Sequence, residues 1–346
     1  MKLFGLFLLL VLLPFGEASQ AVSPSSDSQK MKGVSLVAPP TPFKADPMPR
    51  LQQIGVDWVA AVPFGFSYVG QATVNYNRSG NSYQWWGERP EGTRKTIQLA
   101  KRNGLKVLLK PQLYVPGEWP GAIDFDRSAD WKQWEKEYET FILFFAQMAS
   151  EEEVDLFCIG TEFKLALQKR PAFWINLVDK IKAIYCGPLT YAANWDEYQN
   201  VPLRFWRKLD YAGIDAYFPL VDKATPTVSE LRRAWLPKRQ QIRQFYRRVG
   251  RPIVFTEYGY LSVDGCAGKN WLVEKAVKGL PVNERAQANA LEAIFQTFWE
   301  EPYWMGSFLW KWFPNRQGES SYPERDYSPQ DKIGEQTLAK WFGAEN

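Results

Sequence analysis

Eight short apolar runs recur along the chain, and longer stretches of mixed polar and apolar residues separate them. Each run has little or no alternation of polar and apolar positions, which is typical of parallel strands buried on both faces. We therefore predict eight strands, at Lys32–Ala38, Val56–Phe64, Leu105–Leu113, Asp155–Phe163, Leu189–Trp195, Leu209–Tyr217, Pro252–Gly259 and Gly306–Trp312.

The stretches between the runs have helical periodicity. One begins at Pro90 and stops at Gly104, residues that commonly begin and end helices. Eight strands alternating with helices predict an α/β fold, a (β/α)8 TIM barrel that forms a single domain over residues 31–346. A doubly wound open sheet is the alternative, but no glycine-rich phosphate loop follows the first strand. The other predicted helices cover residues 131–150, 173–185, 228–250, 284–300 and 332–342.

The first residues have the pattern of a signal peptide. Lys2 precedes the apolar stretch Leu3–Phe15, which is short for a membrane span, and small residues follow it. We predict a signal peptide over residues 1–21 and a serine-rich, disordered lead-in over residues 22–30. The alternative is an uncleaved anchor. The prediction places the mature protein outside the cytoplasm, secreted or periplasmic, with no membrane span after cleavage.

Composition limits the partners and the cofactors. The net charge of +4 is too small to indicate nucleic-acid binding, so the basic helix at residues 228–250 is interpreted as a solvated outer face. Histidine is absent, which excludes Ser-His-Asp triads, HExxH zinc sites and haem bound through histidine. Cys158, Cys186 and Cys266 are too widely spaced for a metal or disulfide framework. We predict no cofactor and no metal, and we expect a monomer.

Polar and aromatic residues end most of the predicted strands. Active sites of TIM barrels lie at the carboxyl ends of the strands, and alternate residues of a strand share a face. We expect the strand-end side chains to converge over the barrel mouth. They are Lys110 and Gln112, Glu162, Asn194, Trp195 and Asp196, Asp215 and Tyr217, Glu257, and Trp310 and Trp312.

Two of these residues, Glu162 and Glu257, suit glycoside hydrolysis. That reaction needs one carboxylic acid to protonate the departing oxygen and a second carboxylate as nucleophile or base. Tryptophan suits the same task, because an indole packs against the apolar face of a pyranose. The alternative is that the glutamates only form ion pairs at strand ends, with Lys110 for example.

The sequence motifs around these residues resemble those of glycoside hydrolase family 113, whose characterised members include β-1,4-mannanases. The motifs are "IGTEF", "FTEYGY", "LLKPQL" and "FLWKW", and the similarity runs from about Lys32 to Phe342. The family belongs to a clan of retaining enzymes with catalytic glutamates on strands 4 and 7. Most of that clan has asparagine before the strand-4 glutamate, whereas this chain has Thr161, like the family 113 variant.

The resemblance implies a role for each matching residue. Glu162 would be the acid/base and Glu257 the nucleophile. Tyr217 would donate a hydrogen bond to the nucleophile, and Trp310 would form the floor of the sugar site at the cleavage point. The remaining residues would bind hydroxyls or pack on neighbouring sugars: Lys110, Asn194, Trp195, Asp215 and Trp312.

Three long loops would enlarge the mouth. The segment after the second strand, residues 64–89, is long for a loop of its kind, and it carries Tyr68, Tyr76, Tyr83, Trp85 and Trp86. We predict that it forms a cleft wall, the alternative being a loop that packs on itself. Residues 116–125 and 264–280 would add walls on the same side.

Two other functions stay open on the sequence alone. One is a carbohydrate-binding protein on a barrel that has lost catalysis, although both glutamates are present. The other is a barrel lyase or aldolase that uses Lys110, although no phosphate loop follows the last strands. The preferred prediction is a retaining hydrolase of β-linked polysaccharide or oligosaccharide, with β-1,4-mannan favoured. Which sugar is cleaved depends on a few loop atoms, and whether cleavage is internal or terminal depends on whether the loops leave the cleft open at both ends.

Overall fold

The computed structural model describes residues 30–76 and 84–343. The predicted signal peptide, all of the lead-in except Lys30, and Tyr83 of the predicted cleft wall lie outside these ranges. Within them, no helix combines the length and the apolar composition that crossing a bilayer requires.

Eight parallel strands close into a barrel, which confirms the predicted fold class. Consecutive barrel strands are neighbours, and the last strand pairs with the first, Met31 opposite Gly306. The strands are β1 (Met31–Leu36), β2 (Trp58–Ala61), β3 (Lys106–Leu109), β4 (Leu156–Thr161), β5 (Leu189–Asn194), β6 (Ala212–Asp215), β7 (Ile253–Tyr258) and β8 (Trp304–Trp312).

Two of the predicted strands run on past the barrel. Pro63 and Pro111 follow β2 and β3, and proline has no N–H to continue a ladder. Beyond them the chain forms a separate parallel pair, Phe64–Phe66 with Gln112–Tyr114. The apolar runs of β2 and β3 therefore each lead from a barrel strand into a strand of this separate pair. Gln112 lies in the separate pair, beyond the carboxyl end of β3.

Helices surround the barrel, and each long helix predicted from the sequence is present. Short helices were not predicted, because one or two turns give too little periodicity to recognise. The helices are α1 (Met48–Gln53), α2 (Pro90–Arg102), α3 (Ser128–Glu151), α4 (Lys164–Lys169), α5 (Pro171–Lys182), α6 (Leu203–Trp206), α7 (Val228–Val249), α8 (Asn270–Ala276), α9 (Glu284–Phe298) and α10 (Ile333–Phe342).

The interior of the barrel is a packed apolar core. Trp58, Leu108, Leu156, Val254 and Phe308 are among its buried side chains. Phe308 fills the space beside β1, where a Cβ on Gly33 would lie 2.4 Å from its ring. Because side chains fill the interior, a substrate has access only to the ends of the strands.

Candidate active site

Glu257 ends the buried face of β7, and three side chains donate hydrogen bonds to its carboxylate. Oε1 accepts from the Lys110 ammonium and from Gln112 Nε2 at 2.6 Å. Oε2 accepts from the Tyr217 hydroxyl at 2.9 Å. Burial raises the pKa of Tyr217 well above its usual value, so the phenol keeps the proton that it donates. The carboxylate is thus fixed in orientation, and the Glu257 residue is 8% exposed.

A buried ion cluster lies beneath Glu257. Lys110 Nζ is 3.4 Å from both carboxylate oxygens of Asp215, and Thr256 Oγ1 donates to Asp215 Oδ1 at 2.7 Å. Burial lowers the pKa of Lys110, but the charges of Asp215 and Glu257 more than offset this, so its pKa stands above the usual value. One ammonium therefore holds two carboxylates in place.

This burial corrects the roles expected for two residues. The sequence predicts that Lys110 and Asp215 bind sugar hydroxyls, yet both are 0% exposed and offer no surface to a substrate. Lys110 instead donates to Glu257 and forms an ion pair with Asp215. The same facts exclude the alternative in which Lys110 is a lyase or aldolase nucleophile, since such a lysine must be accessible and have a lowered pKa.

Glu162 directly follows β4 and has a left-handed backbone, with φ 57°. Its N–H still bonds to the carbonyl of Ala192 on β5, at 2.8 Å, so the turn begins at the carboxylate itself. Burial raises the pKa of Glu162 well above its usual value, and the charges of Asp215 and Glu257 raise it further. Sites that hold a carboxyl in its acid form are typical of a proton donor.

Trp119 contacts Glu162 from the loop after β3. Its indole N–H donates to Glu162 Oε2, and this hydrogen bond lowers the pKa of the carboxyl, against the larger effect of burial. The loop allows the contact because Gly121 has no side chain, and a Cβ there would lie 2.2 Å from the indole. The sequence placed a cleft wall at residues 116–125 but did not single out Trp119.

Glu197 is a further carboxylate of the site that the sequence did not reveal. It is 1% exposed, and Oε1 accepts from the Asn194 N–H at 3.1 Å and from the Tyr191 hydroxyl at 3.4 Å. Burial raises its pKa to about 7. Its charge in turn raises the pKa of Glu162. Glu197 lies three residues past β5, where no strand-end pattern would identify it.

Asn194 and Trp195 lie at the end of β5 but face different partners. Asn194 Oδ1 accepts from the N–H of Trp195 at 2.8 Å, so this side chain is engaged in shaping its own loop. The Trp195 ring stacks on Trp271 of α8, with centroids 5.8 Å apart and planes at 7°.

The two tryptophans of β8 are separated. Trp310 is half-buried and lines a cavity of about 220 Å³ together with Trp85, Glu88 and Lys311. Trp312 is 1% exposed in the core. The prediction that Trp312 binds substrate does not fit this burial. The pairing of β1 with β8 shifts register between Ser35 and Leu36, and such an irregularity ends the simple alternation from which the prediction was made.

The aromatic residues of the loop after β2 are partly exposed and partly packed against neighbouring elements. Tyr68 and Trp85 are 42% and 41% exposed. Tyr76 instead packs on the aromatic face of α3, 5.0 Å from the Phe141 ring, and Trp86 meets Phe43 edge-on at 5.5 Å. Of the predicted wall aromatics within the described ranges, only Trp85 lines the cavity beside Trp310.

Solved structures share this fold. A family 113 β-mannanase from Alicyclobacillus acidocaldarius is 23% identical, with a TM-score of 0.76 and alignment over 92% of this chain and 99% of that one. A second family 113 β-1,4-mannanase is 21% identical, with a TM-score of 0.76 and 92% and 100% coverage. A Ruminococcus gnavus β-glucuronidase is 13% identical, with a TM-score of 0.58, and aligns over 91% of this chain and 50% of that one.

A search of curated protein sequences finds no match. The family model for Glycoside Hydrolase Family 113, in contrast, matches residues 41–332, and so spans every barrel strand except β1. The matched region includes both glutamates and the side chains that contact them. The chain therefore belongs to Glycoside Hydrolase Family 113.

Proposed function

We propose that this protein hydrolyses β-linked glycans with retention of configuration, that Glu257 is the nucleophile, and that Glu162 is the acid/base. One observation carries the proposal: the two carboxyl groups at the barrel mouth have opposite surroundings. Three side chains donate to Glu257, whereas burial and neighbouring negative charges raise the pKa of Glu162. A double displacement requires this division of roles.

The proposed reaction has two steps. A Glu257 oxygen bonds to the anomeric carbon while the glycosidic C–O bond breaks, and the Glu162 carboxyl gives its proton to the departing oxygen. Glu162, now a carboxylate, then takes a proton from a water molecule. The oxygen of that water bonds to the anomeric carbon and releases Glu257, which returns both groups to their first states.

We propose β-1,4-mannan as the preferred substrate. The support is that solved family 113 structures with this fold are β-mannanases, one of them a β-1,4-mannanase. Trp310 would hold a sugar at the cleavage point, since an indole face suits the C–H face of a pyranose. Glucosides and mannosides differ by one hydroxyl, so the substrate has to be measured.

The decisive experiment measures reducing ends released from a panel of β-linked polysaccharides by the wild type, Glu162→Gln and Glu257→Gln. We expect activity on β-mannan and a loss of at least about 10²–10⁴-fold in either variant. Activity on another glycan, lost in the same way, would keep the mechanism and discard mannan. Glu91→Gln, exposed on the outer helix α2, is the control and should keep full activity.

The stereochemistry of the first product tests the double displacement separately. ¹H NMR during the first minutes of hydrolysis should show the β anomer before mutarotation, because two inversions restore the original configuration. The α anomer as first product would contradict Glu257 as a nucleophile. Glycan binding without hydrolysis in the wild type and both variants would instead favour a carbohydrate-binding protein.

We propose further that the protein is exported and acts as a monomer. The support for export is the charged and apolar pattern of residues 1–15, followed by small residues. Amino-terminal sequencing of protein recovered from outside the cytoplasm should begin near residue 22, and an intact Met1 there would contradict cleavage. Light scattering on the mature protein should give the mass of one chain.

A further inference from the structure

Trp271 presents an aromatic ring at the surface that the hydrophobic core does not need. It is 39% exposed and lies on α8, a helix on which no residue is fully buried. Its ring stacks on the half-buried Trp195 ring, 5.8 Å away and tilted by only 7°. Trp195 covers one face of the Trp271 indole, and the rest of that ring is exposed apolar surface at the barrel mouth. We call the stacked pair the Trp195–Trp271 platform.

A row of contacts connects this platform to Glu162. Asp196, the neighbour of Trp195, pairs with Lys164 at 2.9 Å. Lys164 Nζ lies 5.9 Å from the ring of Trp119, whose indole donates to Glu162. The row thus runs from the platform to the proposed acid, not to the proposed nucleophile.

The side on which the acid lies determines which part of a glycan it meets. A general acid must touch the oxygen that departs, so the departing sugar lies on the Glu162 side of the cleavage point. The cavity beside Trp310 involves β1 and β8, whereas the platform involves the loops after β5 and β7. We propose that the Trp195–Trp271 platform binds the departing sugar units of a β-linked oligosaccharide; this inference rests on the proposed function.

The chemistry of the platform suits a sugar. An indole face packs on the axial C–H groups of a pyranose, while polar groups at its edge bind the hydroxyls. Lys164 and Asp196 supply such groups, because their side chains are 30% and 36% exposed. Trp271 was not singled out from the sequence, although residues 264–280 were predicted as a wall.

The test compares two substrates that differ only after the scissile bond. One is a β-1,4-mannopentaose, or the equivalent oligosaccharide of whichever glycan is cleaved. The other is a nitrophenyl glycoside with the same sugars before the scissile bond and no departing sugar. For Trp271→Ala we expect kcat/KM to fall about tenfold on the oligosaccharide and to stay within about twofold on the aryl glycoside.

Leu272→Ala is the matched control, since Leu272 is the next residue of α8 and is 53% exposed. It should leave both substrates unaffected. Equal losses on both substrates in Trp271→Ala, or no loss on either, would contradict the proposal that the platform binds the departing sugar units. If the wild type cleaves no glycan, the proposed function fails. Calorimetric titration of the oligosaccharide then tests whether the platform binds sugar, and equal affinity of wild type and Trp271→Ala would contradict such binding.

Discussion

At the scale of the residue, the different surroundings of Glu162 and Glu257 are consistent with their different proposed roles. Glu257 accepts hydrogen bonds from three side chains that are themselves held by the barrel. Glu162 accepts from one indole and has carboxylates nearby. Substitutions around Glu162 should therefore change how activity depends on pH, whereas substitutions beneath Glu257 should change both stability and rate.

Trp119→Phe tests the hydrogen bond to Glu162. The bond favours the carboxylate form, so its loss should raise the pKa of Glu162 further. The acid form then persists to higher pH, so the fall of kcat on the basic side of the pH profile should shift to higher pH. An unchanged basic side would mean that another group controls it.

Glu197→Gln should shift the same fall of kcat in the opposite direction. The charge of Glu197 raises the pKa of Glu162, and this charge is present above the Glu197 pKa of about 7. Removing it should lower the pKa of Glu162, so activity should fall at a lower pH than in the wild type. Rate profiles of both variants on one substrate separate the two effects; shifts of the same sign would contradict this account.

Lys110→Met removes the cation that two buried carboxylates share. Breaking a buried ion pair from one side commonly costs about 3–5 kcal/mol, and we expect a loss of this size in the free energy of unfolding measured in urea. Lys110→Met combined with Asp215→Asn removes one of the orphaned charges and should recover part of that loss. A double variant that is less stable than Lys110→Met would contradict the charge argument.

At the scale of the element, most boundaries follow signals that the sequence carries. Thr227 caps the start of α7 through a capping box, in which Glu230 N–H donates to the Thr227 hydroxyl at 3.2 Å, and Gly250, with φ 67°, directly follows the helix. The same helix contains Pro237 in its interior. Amphipathic periodicity predicts the helix correctly because the packing of its buried face outweighs one missing hydrogen bond.

Pro237→Ala should therefore stabilise the protein. Pro237 is exposed, so alanine restores the missing helical N–H without disturbing the core. The gain is reduced by the larger entropy of the unfolded chain, and we expect about 1–2 kcal/mol in urea unfolding. Activity should not change, because α7 is an outer helix. A loss of stability would mean that the fixed proline backbone matters more than the hydrogen bond.

At the scale of the whole molecule, the barrel brings together residues that are far apart in the sequence, and it buries some carboxyl groups so that their pKa values rise. Lys110 and Glu257 touch although 147 positions separate them. Glu88 lies beside the cavity that loops from opposite ends of the chain enclose. Burial raises the pKa of Glu88 to about 7, like that of Glu197. Both carboxyl groups thus keep protons that the unfolded chain would release.

Stability should therefore fall as the pH rises from about 4.5 to about 7. In this window the unfolded chain binds fewer protons than the folded one at Glu88 and Glu197, so the free energy of unfolding decreases with pH. Urea denaturation at several pH values should show this slope. Glu88→Gln should make the slope shallower and Glu91→Gln, which has no such burial, should leave it unchanged. An equal slope in Glu88→Gln would contradict the raised pKa.

The sequence by itself determined the barrel and the position of its mouth. Hydrophobic patterning is a local property, and it located all eight strands. It placed Glu162 and Glu257 at strand ends, because a residue's distance from the end of an apolar run can be read along the chain. Helical periodicity is equally local, and it placed the ends of the six predicted helices within three residues of the observed ends.

Only the tertiary structure decided what each strand-end side chain touches. Lys110 and Asp215 are buried supports of Glu257, and Trp312 is a core residue, although the strand pattern grouped all three with substrate contacts. The loops after β3, β5 and β7 position Trp119, Glu197 and Trp271. Hydrophobic periodicity does not predict the path of such loops. Contacts, burial and pKa depend on neighbours in space, and closure of the barrel supplies those neighbours from segments far apart in the chain.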